Sequence, residues 1–250
     1  MSQASKHIIE YKGIRIVYKD NINPSLFISG FKGFGMVGYL STLYIVEVLD
    51  CKTAGYIISK YVPEAISVDE KGNIIAPFTL YQCSKNSREL LVLVNHDLPY
   101  VHERARFVEA VSRLLLKTGV KESILVGGFD SRFKQGDETL RWLATSHYRR
   151  TLNEPRMEPG LYVIGPLALM LLAFEINNIP AVVILPYADA ERPDPRAASV
   201  AIMKINELYN LSIPVEELLE RAKKFEEMIV EIERRQKEAY STSHAERSYM

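Results

Sequence analysis

Only two cysteines, Cys51 and Cys83, occur in 250 residues, and they form neither a CxxC pair nor any metal-ligand spacing. Both read as ordinary small apolar residues of a reducing compartment, and no metal is expected. Charge of one sign is also missing. With 31 basic against 31 acidic residues, no net field is left to hold nucleic acid or an anionic membrane surface. Long apolar runs are absent too. The most apolar stretch, Leu161 to Ile176, is broken by Gly165 and Pro166 and is short for a membrane span. The opening MSQASKHIIEYKG has no apolar core of a signal peptide, so a cytoplasmic protein is expected.

What is present is a large core-forming fraction, 47% hydrophobic, arranged as alternating strand and helix signals. IRIVY, SLFISGF, AGYIISKY, IIAPFTLYQC, ELLVLVN, ESILVGGF, LYVIG and AVVILPY read as strands. Helices are expected from about Met36 to Leu49 and from Pro99 to Gly119. Two more are expected in PLALMLLAFEINN and PRAASVAIMKINELYN. This alternation predicts an α/β fold with a mostly parallel sheet covered by helices on both faces. Residues 130–159 are polar and punctuated and read as a surface excursion. A single domain is expected over 1–235, including a C-terminal helix from about 214, followed by a polar, flexible tail over 236–250.

The front of the chain carries GxGxxG at Gly33, Gly35 and Gly38, between a strand and a helix. A dinucleotide site also needs an acid at the end of the following strand to hold the ribose hydroxyls. AGYIISKY ends instead in Lys60 and Tyr61; Asp50 precedes the strand and Glu64 lies past Pro63. The three glycines are therefore read as a structural turn, with no cofactor. A nucleoside- or nucleotide-binding protein or enzyme of phosphorylase-like fold, using this loop with His96 and Asp97, is the competing reading, because a helix N-terminus attracts anions.

Other candidate sites are thinner. NHDLPYVHER gathers His96, Asp97, His102 and Glu103 after a buried strand, but its spacing matches no zinc motif. GGFDSRF is not a nucleophile elbow. ADAERPDPR is a loop stiffened by Pro193 and Pro195. No catalytic set emerges, and a non-enzymatic protein is expected. Near the C-terminus, Val215, Leu218, Ala222, Phe225, Ile229 and Ile232 follow a 3-4-3-4-3 spacing. That seam suits packing on its own domain and self-association equally.

GFKGFGMVGYLSTLYIVEVL followed by AGYI, then VGGF, then GPLALMLLAFEINNIPAVVIL, then ADAERPDPRAASVAIMKINELYNLSIPVEELLERA, resembles the proteasome-assembly-chaperone family, especially its archaeal homologues. The resemblance covers about Phe27 to Glu231. It implies a nucleoside-phosphorylase-like fold without the catalytic apparatus, and a homo-oligomer that engages proteasome α-subunits or another protein client. Some members end in a hydrophobic–Tyr–any motif that enters pockets between α-subunits. Here Tyr249 and Met250 match that pattern, and Ser248 replaces the hydrophobic residue.

Overall fold

The computed structural model describes residues 6–20, 22–69, 71–220 and 222–224. Two antiparallel strands open the chain, β1 (Lys6–Tyr11) and β2 (Ile14–Lys19). Strand β3 (Leu26–Gly30) leads through the glycine turn into helix α1 (Val37–Val48), then β4 (Lys52–Ile58). A two-stranded hairpin, β5 (Ser67–Val68) and β6 (Ile74–Ile75), precedes β7 (Phe78–Lys85) and β8 (Arg88–Asn95). Helix α2 (Arg104–Thr118), β9 (Glu122–Val126), β10 (Phe129–Asp130) and β11 (Leu140–Ala144) follow. Helix α3 (Pro166–Ile176), β12 (Ala181–Ala188) and α4 (Pro195–Tyr209) complete the series.

The main sheet runs β1-β2-β4-β7-β8-β3-β9-β12-β10, with β11 also paired to β12. Its α/β character and two helical layers are as the alternation implies, and the sheet itself is mixed. β8, β3, β9 and β12 are parallel neighbours, whereas β1, β2, β4, β7 and β8 pair antiparallel in sequence along the sheet. The parallel strands are buried on both sides, which is why their sequences are continuous apolar runs. Their side chains still alternate between two cores. In β3, Phe27 joins the cluster under α2 and α3, while Leu26 and Ile28 join the one under α1 and α4. Leu91 and Leu93 of β8 take the first side, and Leu90, Val92 and Val94 the second.

Helix α2 shows the expected amphipathic pattern, burying Phe107, Val108, Val111, Leu114 and Leu115, and Gly119 closes it in the left-handed conformation. After α4, Asn206 clamps the chain: its Nδ2 donates to the Ile213 carbonyl (2.7 Å) and its Oδ1 accepts from the Ile213 N–H (2.8 Å). This turn drops Leu211, Ile213 and Leu218 into the α1/α4 core. Val215 packs against the same cluster and Ala222 is buried, so the first half of the C-terminal seam faces its own domain. Phe225, Ile229, Ile232, Ser248, Tyr249 and Met250 lie outside the described residues.

Three local expectations are corrected. Cys51 and Cys83 are joined as a disulfide, not unpaired thiols. Lys52 opposes Gln82 in the β4–β7 pair, so the next positions outward bring the two cysteines face to face with Cα atoms 4.7 Å apart. Their separation of 32 residues gave no local signal of this. The polar excursion contains β11, whose Trp142 is buried and donates from Nε1 to the Glu154 carbonyl (2.7 Å). Finally, LYVIG is not a strand. Residues 161–164 are irregular and leave Tyr162 and Ile164 exposed.

Candidate functional site

The glycine turn sits at the C-terminal end of β3, the edge where α/β sheets place their ligands. Its geometry is governed by packing. Gly35 has a φ of +59°, in the left-handed region, and a Cβ there would meet Ala188 Cβ at 2.7 Å and Asp194 Cβ at 3.0 Å. A Cβ on Gly38 would strike the Val126 carbonyl oxygen, and would lie 2.8 Å from the Phe31 nitrogen. Helix α1 therefore starts in direct backbone contact with β3 and β9. At Gly33 an added Cβ meets nothing within 4 Å; its carbonyl accepts from the Met36 N–H (2.9 Å).

The loop 188–194 closes over this turn. The Asp194 N–H donates to the Gly35 carbonyl (2.8 Å), and its carboxylate caps α4 by accepting from the Ala197 N–H (2.8 Å). The backbone and Cβ of Asp194 thus cover the turn, while its carboxylate is engaged by α4 and by the Asp189 N–H. The topology is also wrong for that motif, because β4 is separated from β3 by β7 and β8. Neither the sequence spacing nor the turn chemistry indicated that these two loops, about 155 residues apart, would seat on one another.

The acid and histidine cluster after β8 is dispersed by the fold. His96 is half-buried, its Nδ1 lies 3.3 Å from the Tyr39 hydroxyl, and burial, with Lys32 nearby, pushes its pKa down to about 4. It is neutral at pH 7. Asp97 accepts from the Leu98 N–H (2.7 Å) as a turn residue. His102 points outward between Tyr61 and Tyr100. Glu103 is buried and accepts from Ser59 Oγ at 2.5 Å. Each group answers to a different partner, so they do not compose one reacting centre.

Beside the glycine turn, a cavity of about 360 Å³ opens at the same sheet edge. It lies between the segment after β3 (Phe31 to Phe34), the segment after β9 (Val126 to Phe129) and the approach to α3 (Tyr162 to Leu167). Most of its lining is apolar, with Lys32 and Arg104 as its charged members. The sequence hid this site because its walls are mostly apolar and come from segments far apart in the chain. The one signal was the strand-like run at 161–164, which keeps Tyr162 and Ile164 in solvent instead of in the sheet. Among the described residues no group of three or more His, Cys, Asp or Glu could hold a metal, and no helix is long and apolar enough to cross a membrane.

A mixed sheet between two helical layers, with its open edge beyond β3 and β9, defines an α/β class shared with several solved proteins. Pyrococcus furiosus PbaA, an archaeal homologue of a proteasome-assembly chaperone, superposes with a TM-score of 0.79. The two are 21% identical, covering 94% of this chain and 98% of that one. Pyrococcus furiosus PbaB, an archaeal proteasome activator, gives a TM-score of 0.74 at 20% identity, covering 89% of this chain and 99% of its own. An uncharacterised protein of Methanocaldococcus jannaschii is 23% identical over 230 residues, 90% of this chain and 89% of that protein. The PAC2 family pattern matches residues 27–233, and the chain belongs to the PAC2 family.

Proposed function

We propose that this protein is a non-enzymatic, homo-oligomeric chaperone or adaptor of the proteasome system, working in the cytoplasm. It engages proteasome α-subunits, or another protein client, through a C-terminal segment that includes Ser248, Tyr249 and Met250. The observation that carries this reading is PAC2 membership over residues 27–233, together with a fold shared with two proteins that are both named for proteasome association. With this role we propose the organisation of a single domain over 1–235 with a tail over 236–250.

Exposed apolar side chains on two neighbouring helices support self-association. Helix α3 is apolar nearly all round, a composition suited to burial between layers. Its outer side nevertheless exposes Leu172 and Ile176, and neighbouring α2 exposes Leu116. Covering these side chains against a second copy removes apolar surface that a monomer leaves in water. Oligomerisation also raises the effective concentration of tails. That offsets the weaker anchoring at Ser248, where a missing apolar contact costs about 1 kcal/mol per site.

Light scattering on the full chain and on a version ending at Tyr240, each with and without proteasome, tests this. An oligomer that gains proteasome mass only when the tail is present is the expected result. A monomer, or equal capture by the shortened chain, would overturn tail-mediated multivalent binding.

A further inference from the structure

We propose that the cavity beyond β3 and β9 is a binding site for a small amphiphilic monocarboxylate, with its apolar body among Phe31, Phe129, Leu167 and Leu185 and its carboxylate between Lys32 and Arg104. This goes beyond the chaperone reading and does not depend on it.

The electrostatics of the lining are one-sided. Lys32 and Arg104 are its charged side chains, both cationic, and no acid lines it. Both are only half-exposed. Neither has a carboxylate within ion-pair distance among the described residues; Arg104 Nε donates to the Pro99 carbonyl (3.0 Å) and Lys32 Nζ sits 4.8 Å from the centre of the Tyr39 ring. Those contacts hold each cation in place without neutralising it. Lys32 also lies near His96, whose pKa is lowered first by burial and second by that cation. The N-terminal end of α3 adds to the positive field, because Gly165 and Pro166 line the cavity and that helix has no capping side chain and no acid in its first turn.

The rest of the lining decides what kind of anion fits. A nucleotide or sugar phosphate brings several hydroxyls and charges, and a mostly apolar wall with two cationic side chains offers them few partners. A single anionic head on an apolar chain satisfies both parts of the surface. The volume of about 360 Å³ is at the small end of ligand sites, which run roughly 300–1,000 Å³, so the body is short. Tyr162 and Ile164, largely exposed at the rim, give it an apolar approach.

Isothermal titration of the full-length protein with octanoate, octanol and octylamine tests the proposal. Octanoate binding, with octanol at least about tenfold weaker and octylamine absent, is the expected order, since a hydrogen-bonded charge pair contributes roughly that factor. Arg104→Met and Lys32→Met keep the aliphatic stems and should each weaken octanoate by about tenfold while leaving octanol unchanged. Val163→Trp, placed in the irregular segment beside the cavity, should abolish binding of both without altering the circular dichroism spectrum. Equal affinity for octanoate and octanol, or unchanged octanoate affinity in both methionine variants, would overturn the assignment. So would a failure of octanoate to bind the wild-type chain.

Discussion

Helices α1 and α3 both begin at the edge of the sheet beyond β3 and β9, and their surroundings differ completely. The start of α1 carries the sequence motif, GxGxxG, and is filled by the chain itself: Ala188 and Asp194 sit on Gly35, and backbone abuts Gly38. The start of α3 carries no ligand-binding motif and borders an open cavity. A glycine pattern is thus a record of close approach, and close approach can serve protein packing as well as ligand binding. Available volume and unpaired charge are the better guides to a site, and here both lie in the cavity that the start of α3 borders.

The contrast can be broken most forcefully at Gly38. Gly38→Ala should destabilise by upwards of about 4 kcal/mol, because the new methyl meets backbone atoms of β9 and of the turn after β3, which cannot rotate away. Urea unfolding would show it, and a loss under about 1 kcal/mol would mean that α1 can slide on the sheet. On the open side, Leu167→Ala should cost about 2 kcal/mol, the low end for a buried leucine, since it enlarges space that already exists. A cost near 5 kcal/mol would indicate a tighter wall than the cavity implies. The smallest effect is expected at Asp194→Ala, about 1 kcal/mol from the lost α4 cap. That variant also sharpens the comparison: it should leave the glycine turn unable to bind phosphate or NAD in a thermal-shift assay, because Ala188 still covers Gly35.

Much of this architecture was legible where one physical signal dominates. The buried runs of β3, β8, β9 and β12 and the 3.6-residue pattern of α2 were plain in the residues, because double-sided burial and helical amphipathicity each impose a period. The edge strands were not. β1 exposes Ile8 and mixes Lys6, His7 and Glu10 into its six residues, while β11 hides Trp142 within a polar segment. Its neighbour Arg141 is buried only because Tyr187, Glu138 and Glu158 surround it (2.7, 3.3 and 3.0 Å). Strand order was equally hidden. Whether β4 lies beside β3 or two strands away depends on pairing across the sheet, and no local pattern encodes that. For the same reason Lys32 and Arg104, 72 positions apart, gave no sign of sharing a wall.

The bridge between Cys51 and Cys83 ties two strands that already pair, so cutting it leaves their hydrogen bonds in place. Its contribution, about 3–4 kcal/mol for a loop of this length, comes from restricting the unfolded chain. Thermodynamic reciprocity then runs the other way. Whatever the cross-link lends to the fold, the fold returns to the cross-link, by holding the two sulfurs together at a high effective concentration. A glutathione titration of the native chain should therefore find these thiols far harder to reduce than the same pair in urea. In that sense the β4–β7 ladder protects its own covalent tie.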